Sequence, residues 1–173
     1  MMKARTHIGL QSGFSLIELM TVVSIVAVMA AISAPSFSAM LKTLKVKTVA
    51  DDLFVDMTLA RSEAIKRKVN VSLVPKDTSA SKDWAKGWDV TSTQMVGTTS
   101  TAITIKTKDT TAGNVTTTGA SNSSIVFGSA GRLVGSTTTL KLQVKQTDLD
   151  SSAWRCVSVD FSGRAASAVG ACS

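Results

Sequence analysis

The 173-residue chain is poor in the side chains that do chemistry. It has one histidine, two cysteines, no tyrosine, and only 5% aromatic residues. The single histidine, His7, leaves no His pair, His–Cys dyad or His-based metal cluster. Two cysteines cannot build a four-cysteine zinc site. No P-loop, GxSxG or HExxH pattern is present, and no internal repeat. Neither an enzyme nor a resident metal or cofactor is expected. What the chain has instead is positive charge, +7 formally, and a Ser/Thr content of roughly a quarter, mostly beyond residue 70. That composition suits an exported β-rich surface. The charge points to nucleic acid or another polyanion as a partner.

Apolar residues concentrate near the N-terminus. From Phe14 to Ala34 the chain reads FSLIELMTVVSIVAVMAAISA, with Glu18 its one charge. About 20 such residues in a helix cross a bilayer core. Lys3 and Arg5 precede them without an acid, which keeps that flank cytoplasmic and sends the body across the membrane. A cleaved signal peptide ending near Ala34 is one reading, and a plain signal anchor is another. Neither explains Glu18, because a lone carboxylate inside an apolar span costs about 2.5–3.5 kcal/mol.

Beyond Pro35, which should kink the helix, the pattern turns amphipathic. Val46, Val49, Ala50, Leu53, Met57, Ala60 and Ala64 fall on one face, with Phe54 at its edge. Lys45, Asp52, Asp56, Glu63 and Lys66 are expected mostly on the other. One helix from Phe14 to about Lys68 would run about 80 Å. Lys66, Arg67 and Lys68 complement the dipole at its end.

Residues 69–173 read as short strands with turns. Strands are expected at Val69–Val74, after a turn in Asp83–Val90, at Ile103–Lys106, at Ser124–Phe127, at Leu140–Lys145 and at Cys156–Phe161. Thr107–Ser123 reads as a mobile hairpin or long loop. Leu140, Leu142 and Val144 should face inward, and Lys141, Gln143 and Lys145 should face water. Trp84 and Trp88 flank a Gly; capping a small core is favoured over a ligand-stacking platform. An exported domain meets oxidising conditions, so Cys156 and Cys172 are expected to pair and to hold a fraying tail, Ser162–Ser173; a redox-active role would lack the CxxC spacing.

The stretch Gly13-Phe14-Ser15-Leu16-Ile17-Glu18-Leu19 resembles the N-terminal motif of type IV pilins and type II secretion pseudopilins. The basic leader, the Gly, the following Phe, Glu18 four residues on, and Pro35 carry the resemblance. Trp84-Ala85-Lys86-Gly87-Trp88, Phe127 with Gly131-Arg132, the Cys156 strand, Gly163-Arg164 and Cys172 resemble minor pilins and pseudopilins of the GspH/FimT type.

The resemblance implies an α+β pilin-like fold: a long N-terminal helix packed on an antiparallel β-sheet or sandwich. It divides the chain into a leader (1–13), a transmembrane and filament-core helix (14–40), an amphipathic helix (41–68) and a β-rich domain (69–173). A prepilin peptidase would cut between Gly13 and Phe14 and methylate Phe14. Glu18 would neutralise the N-terminus of a neighbouring subunit. The partners implied are other pilins, the peptidase and an inner-membrane assembly platform. The subunit would start as a single-pass inner-membrane protein with a periplasmic domain and end in a filament.

The leader takes His7, Lys3 and Arg5 with it, leaving 17 basic against 12 acidic side chains, an excess of +5. Arg164, Arg155, Lys141 and Lys145 form a candidate DNA-binding set. Some FimT-like pilins bind DNA through Gly-Arg-x-Arg, but here the second Arg is missing, since Gly163-Arg164 runs into Ala165-Ala166. A minor pilin is the preferred reading. A type II secretion pseudopilin, a DNA-uptake pilin, a major pilin and a membrane-anchored enzyme are the alternatives.

Overall fold

The computed structural model describes residues 13–79, 82–96, 99–110, 115–119 and 124–173. Side chains at 33–35, 95, 96, 99 and 119 fall outside that description. The chain divides into two compact units, residues 1–38 and 39–173.

Helix α1 spans Leu16–Arg67. In the first unit it lies bare, with Phe14 82% exposed and Leu16, Ile17, Leu19, Val22, Val26 and Met29 all exposed. Among the described residues no single helix meets the length and hydropathy of a bilayer crossing; Leu16–Ile32 and Ser36–Arg67 meet them only when taken together. The bend read at Pro35 falls among the side chains that are not described.

In the second unit α1 buries the expected stripe. Val46, Val49, Ala50, Leu53, Met57, Ala60 and Ala64 are all essentially inaccessible. One expectation fails here. Asp56 is fully buried, not solvated. It stands three residues after Leu53 and four before Ala60, so the helix period puts it on the apolar face. The carboxylate is tolerated there because two donors meet it.

The first sheet contains β1 (Val71–Pro75), β2 (Gly87–Val96), β3 (Thr99–Asp109) and β5 (Ile125–Phe127), in the order β3-β2-β1-β5. The second contains β4 (Val115–Gly119), β6 (Leu140–Gln146), β7 (Arg155–Val159) and β8 (Ala165–Val169), in the order β4-β6-β7-β8. All their pairings are antiparallel. The core combines the α1 stripe with Val71, Leu73, Trp88, Ile125 and Phe127 from the first sheet and Leu142, Val144, Val157 and Val159 from the second.

Three further expectations are corrected. Thr107–Ser123 is not one long loop. β3 runs to Asp109, and Val115–Gly119 is a strand whose Val115 and Thr117 are buried against β6. β-Branched Thr and Val fit a half-buried pleat, which the polar composition concealed. The C-terminal tail is not loose chain held by a bond, because Ala165–Val169 is itself a strand paired to β7. The outer face of β6 is half-buried, not wet. The tail and Trp154 cover it.

Candidate functional site

Glu18 lies in the first turn of α1 on the exposed apolar unit. Among the described residues no ion pair engages its carboxylate. Nearby hydroxyls are spent locally: Thr21 donates to the Glu18 carbonyl oxygen at 2.8 Å and Ser24 to that of Met20 at 2.8 Å. Those bonds quiet the hydroxyls within the helix and leave Glu18 as the only side chain of Phe14–Ile32 carrying charge.

The tryptophans make no open platform. Trp84 and Trp88 are both buried. The Trp88 indole N–H donates to Asp56 Oδ2 at 2.9 Å, and Lys106 Nζ donates to Asp56 Oδ1 at 2.6 Å. This tie joins α1 to β2 and β3. A sequence signal for it existed in the helical spacing of Asp56, but its charge argued the other way.

The turn before β2 is built on two carboxylates. Asp83 accepts from the backbone N–H of Ala85 at 3.0 Å, and from the Thr117 N–H at 2.9 Å, so it links this turn to β4. Asp77 accepts from the Ser79 hydroxyl at 2.7 Å and from the backbone N–H groups of Ser79 and Asp83 at 3.0 and 2.9 Å. The Ser79 hydroxyl, then those amides, hold its carboxyl far below the usual range.

The two Gly-Arg pairs of the sequence meet in space. Gly131 and Gly163 both have positive φ, +72° and +81°. The Gly131 carbonyl oxygen also accepts from Arg61 Nε of α1 at 3.1 Å, and the Leu133 N–H reaches the Phe161 carbonyl at 3.2 Å. The turn that leaves β7 is locked by Asp160, which accepts from the Ser162 hydroxyl at 2.6 Å and from the Arg164 N–H at 2.9 Å. That hydroxyl first, and then the amide, lower its pKa. Arg132, Leu133, Ser136, Thr137 and Phe161 line a shallow open groove beside this junction.

The four cations of the candidate DNA-binding set do not share one face. Lys141 and Lys145 lie on the outer face of β6. Lys141 Nζ donates to the Ser173 carbonyl oxygen, and Lys145 Nζ sits 5.7 Å from the Trp154 ring centroid. Arg155 pairs with Val144, so it lies on the inner face, and its Nε is buried without a partner among the described residues. Arg164 projects from the turn, with its side chain 81% exposed.

Cys156 and Cys172 are joined in a disulfide. Gln143 secures the tail beside it: its Oε1 accepts from the Cys172 N–H at 2.5 Å, and its Nε2 donates to the Gly170 carbonyl at 3.2 Å.

Known proteins share both the sequence pattern and the fold. The family model described as type II transport protein GspH matches residues 49–163. A second family model, the prokaryotic N-terminal methylation motif, matches residues 9–34. Two crystal structures of the type IV minor pilin FimU from Pseudomonas aeruginosa share the fold. One aligns with a TM-score of 0.56 at 23% identity, covering 70% of this chain and 91% of that one. The other gives 0.57 at 23% identity, covering 70% and 86%. None of the curated proteins matches the chain.

Proposed function

The chain belongs to the GspH family of type II transport proteins, a structural pilin family, and from that premise we propose that it is a minor pilin of a type IV pilus. Its N-terminal methylation motif implies anchoring in the inner membrane followed by transfer to a filament. On this reading residues 1–13 are the leader, a prepilin peptidase cuts between Gly13 and Phe14, and Phe14 is methylated. The subunit waits as a single-pass protein with its β domain in the periplasm, and an inner-membrane platform draws it into the filament.

One observation carries the reading: a bare apolar helix with one carboxylate, Glu18, four residues after Phe14 and without an ion-pair partner among the described residues. Either charge alone in lipid is costly, and pairing a carboxylate with a neighbour's terminal ammonium offsets part of that cost. Pro35 would bend the helix between its filament half and its domain half. That two crystal structures sharing this fold are of a type IV minor pilin supports the pilus. The family's own description supports the second reading, a minor pseudopilin of type II secretion.

Glu18→Ala should leave membrane insertion intact and lower the amount of the chain in sheared filaments at least tenfold. Normal incorporation would sink the pairing role. Copy number per filament, by mass spectrometry, separates a minor from a major subunit. Deleting the gene and assaying piliation beside export of folded proteins separates pilus from secretion.

A further inference from the structure

An unpaired strand edge presents free N–H and C=O groups, and proteins usually blunt it. Among the described residues the two sheets end in β3, β5, β4 and β8. The first three are blunted. β3 carries Lys106 and Lys108, tied to Asp56 and Asp52 of α1. β5 is covered by the next segment, through the Phe127–Leu133 bridge and a 2.9 Å bond from the Val134 N–H to the Val126 carbonyl. On β4 the Thr117 N–H is taken by Asp83.

β8 has none of these devices. Ala165-Ala166-Ser167-Ala168-Val169 contains no charge and no proline, residues 166–169 are exposed, and Val169 is 65% exposed. Its ladder tells which groups are free. The Gly170 N–H bonds the Trp154 carbonyl and the Asp160 N–H bonds the Arg164 carbonyl. Hydrogen-bonded pairs alternate in an antiparallel ladder, so Arg164, Ala166, Ala168 and Gly170 bond inward to β7. Ala165, Ser167 and Val169 therefore aim their N–H and C=O outward. The tail beyond turns over the outer sheet face, where Cys172 meets Gln143, and leaves the edge open.

Charge narrows the occupant. Arg164 projects at the start of β8 with its side chain 81% exposed; Asp160 Oδ2 stands at a long 3.9 Å from its Nε, while the other carboxylate oxygen, Oδ1, accepts from the Ser162 hydroxyl and the Arg164 N–H. Arg132 is exposed on the adjoining turn, and residues 161–173 contain no acid. A strand with small apolar side chains and a carboxylate at the Arg164 end is complementary.

We propose that the open edge of β8 receives an extended, acid-tipped segment of a neighbouring pilin-class subunit, which adds as a fifth strand to the second sheet. That the occupant is a pilin rests on the assembly reading above. The edge itself rests on the register.

The test uses the full chain in its native host, with the photo-crosslinker p-benzoylphenylalanine at Val169 and adducts mapped by mass spectrometry. The expected result is a crosslink to an extended segment of another pilin-class subunit. Ser167→Pro removes an outward N–H without breaking the β7 ladder and should lower the adduct at least tenfold. Arg164→Glu, a surface charge reversal outside the core, should lower it at least fivefold and serves if the proline variant fails to fold. An adduct undiminished in a folded variant, an adduct mapped to a helix, or no pilin adduct from a chain that does enter filaments overturns the edge. A wild-type chain absent from sheared filaments would instead overturn the assembly reading, and the occupant with it.

Discussion

Gly163 lies so close to Gly131 that a Cβ added to Gly163 would stand 1.9 Å from the Gly131 carbonyl oxygen. The contact joins the turn after β7 to the turn after β5, and Arg61 of α1 holds the same carbonyl. Helix and both sheets are thus tied at one point. Gly163→Ala should destabilise the soluble domain by roughly 3 kcal/mol, since it adds a backbone clash to a positive φ. Urea denaturation of the two domains side by side checks this; an unchanged midpoint would show that the junction can relax.

Asp56 makes the second tie. Asp56→Ala leaves the Trp88 indole N–H buried without an acceptor and opens space in the core. A loss of about 2–4 kcal/mol is expected. Lys106→Met should cost less, because the Lys106 side chain is 43% exposed and Trp88 still supplies a donor. Chemical denaturation of the two variants gives the order, and equal losses would argue that the ammonium, not the indole, carries the tie.

Reducing the Cys156–Cys172 disulfide should destabilise the domain by about 3 kcal/mol, the chain-entropy cost of closing a loop of about 15 residues. Because β8 and Gln143 hold the tail independently, the reduced domain should stay folded at 25 °C. Thiol titration of the unfolded, unreduced protein should find no free thiol, and circular dichroism after reduction should keep its strand signal.

Acid should weaken the domain in a defined window. Asp77 and Asp160 both have folded-state pKa values below the ordinary 3.8, owing first to the hydroxyls of Ser79 and Ser162 respectively. A depressed carboxyl contributes stability above its unfolded value and loses it as pH falls through the folded value. The urea midpoint should therefore stay nearly level from pH 7 to about 5 and drop below about pH 4. Asp77→Asn, which cannot titrate, should be less stable at pH 7 and fall less steeply in acid.

The sequence by itself determined the helix and its two characters. Composition separates a bare apolar half from an amphipathic half, and a 3.6-residue period predicts the apolar members of the buried stripe from Val46 to Ala64, because helical periodicity is local. The processing motif is equally local. Placement across the sheets is not. The burial of Asp56 depends on donors 32 and 50 residues away in the chain. β4 is a strand because Asp83 and β6 supply partners that Thr-rich sequence does not reveal. The four cations scatter because strand register sends alternate residues to opposite faces, so Arg155 turns inward while Lys141 and Lys145 turn outward. The open edge of β8 likewise exists only once the described strands have been ordered, since an edge is defined by the neighbour it lacks.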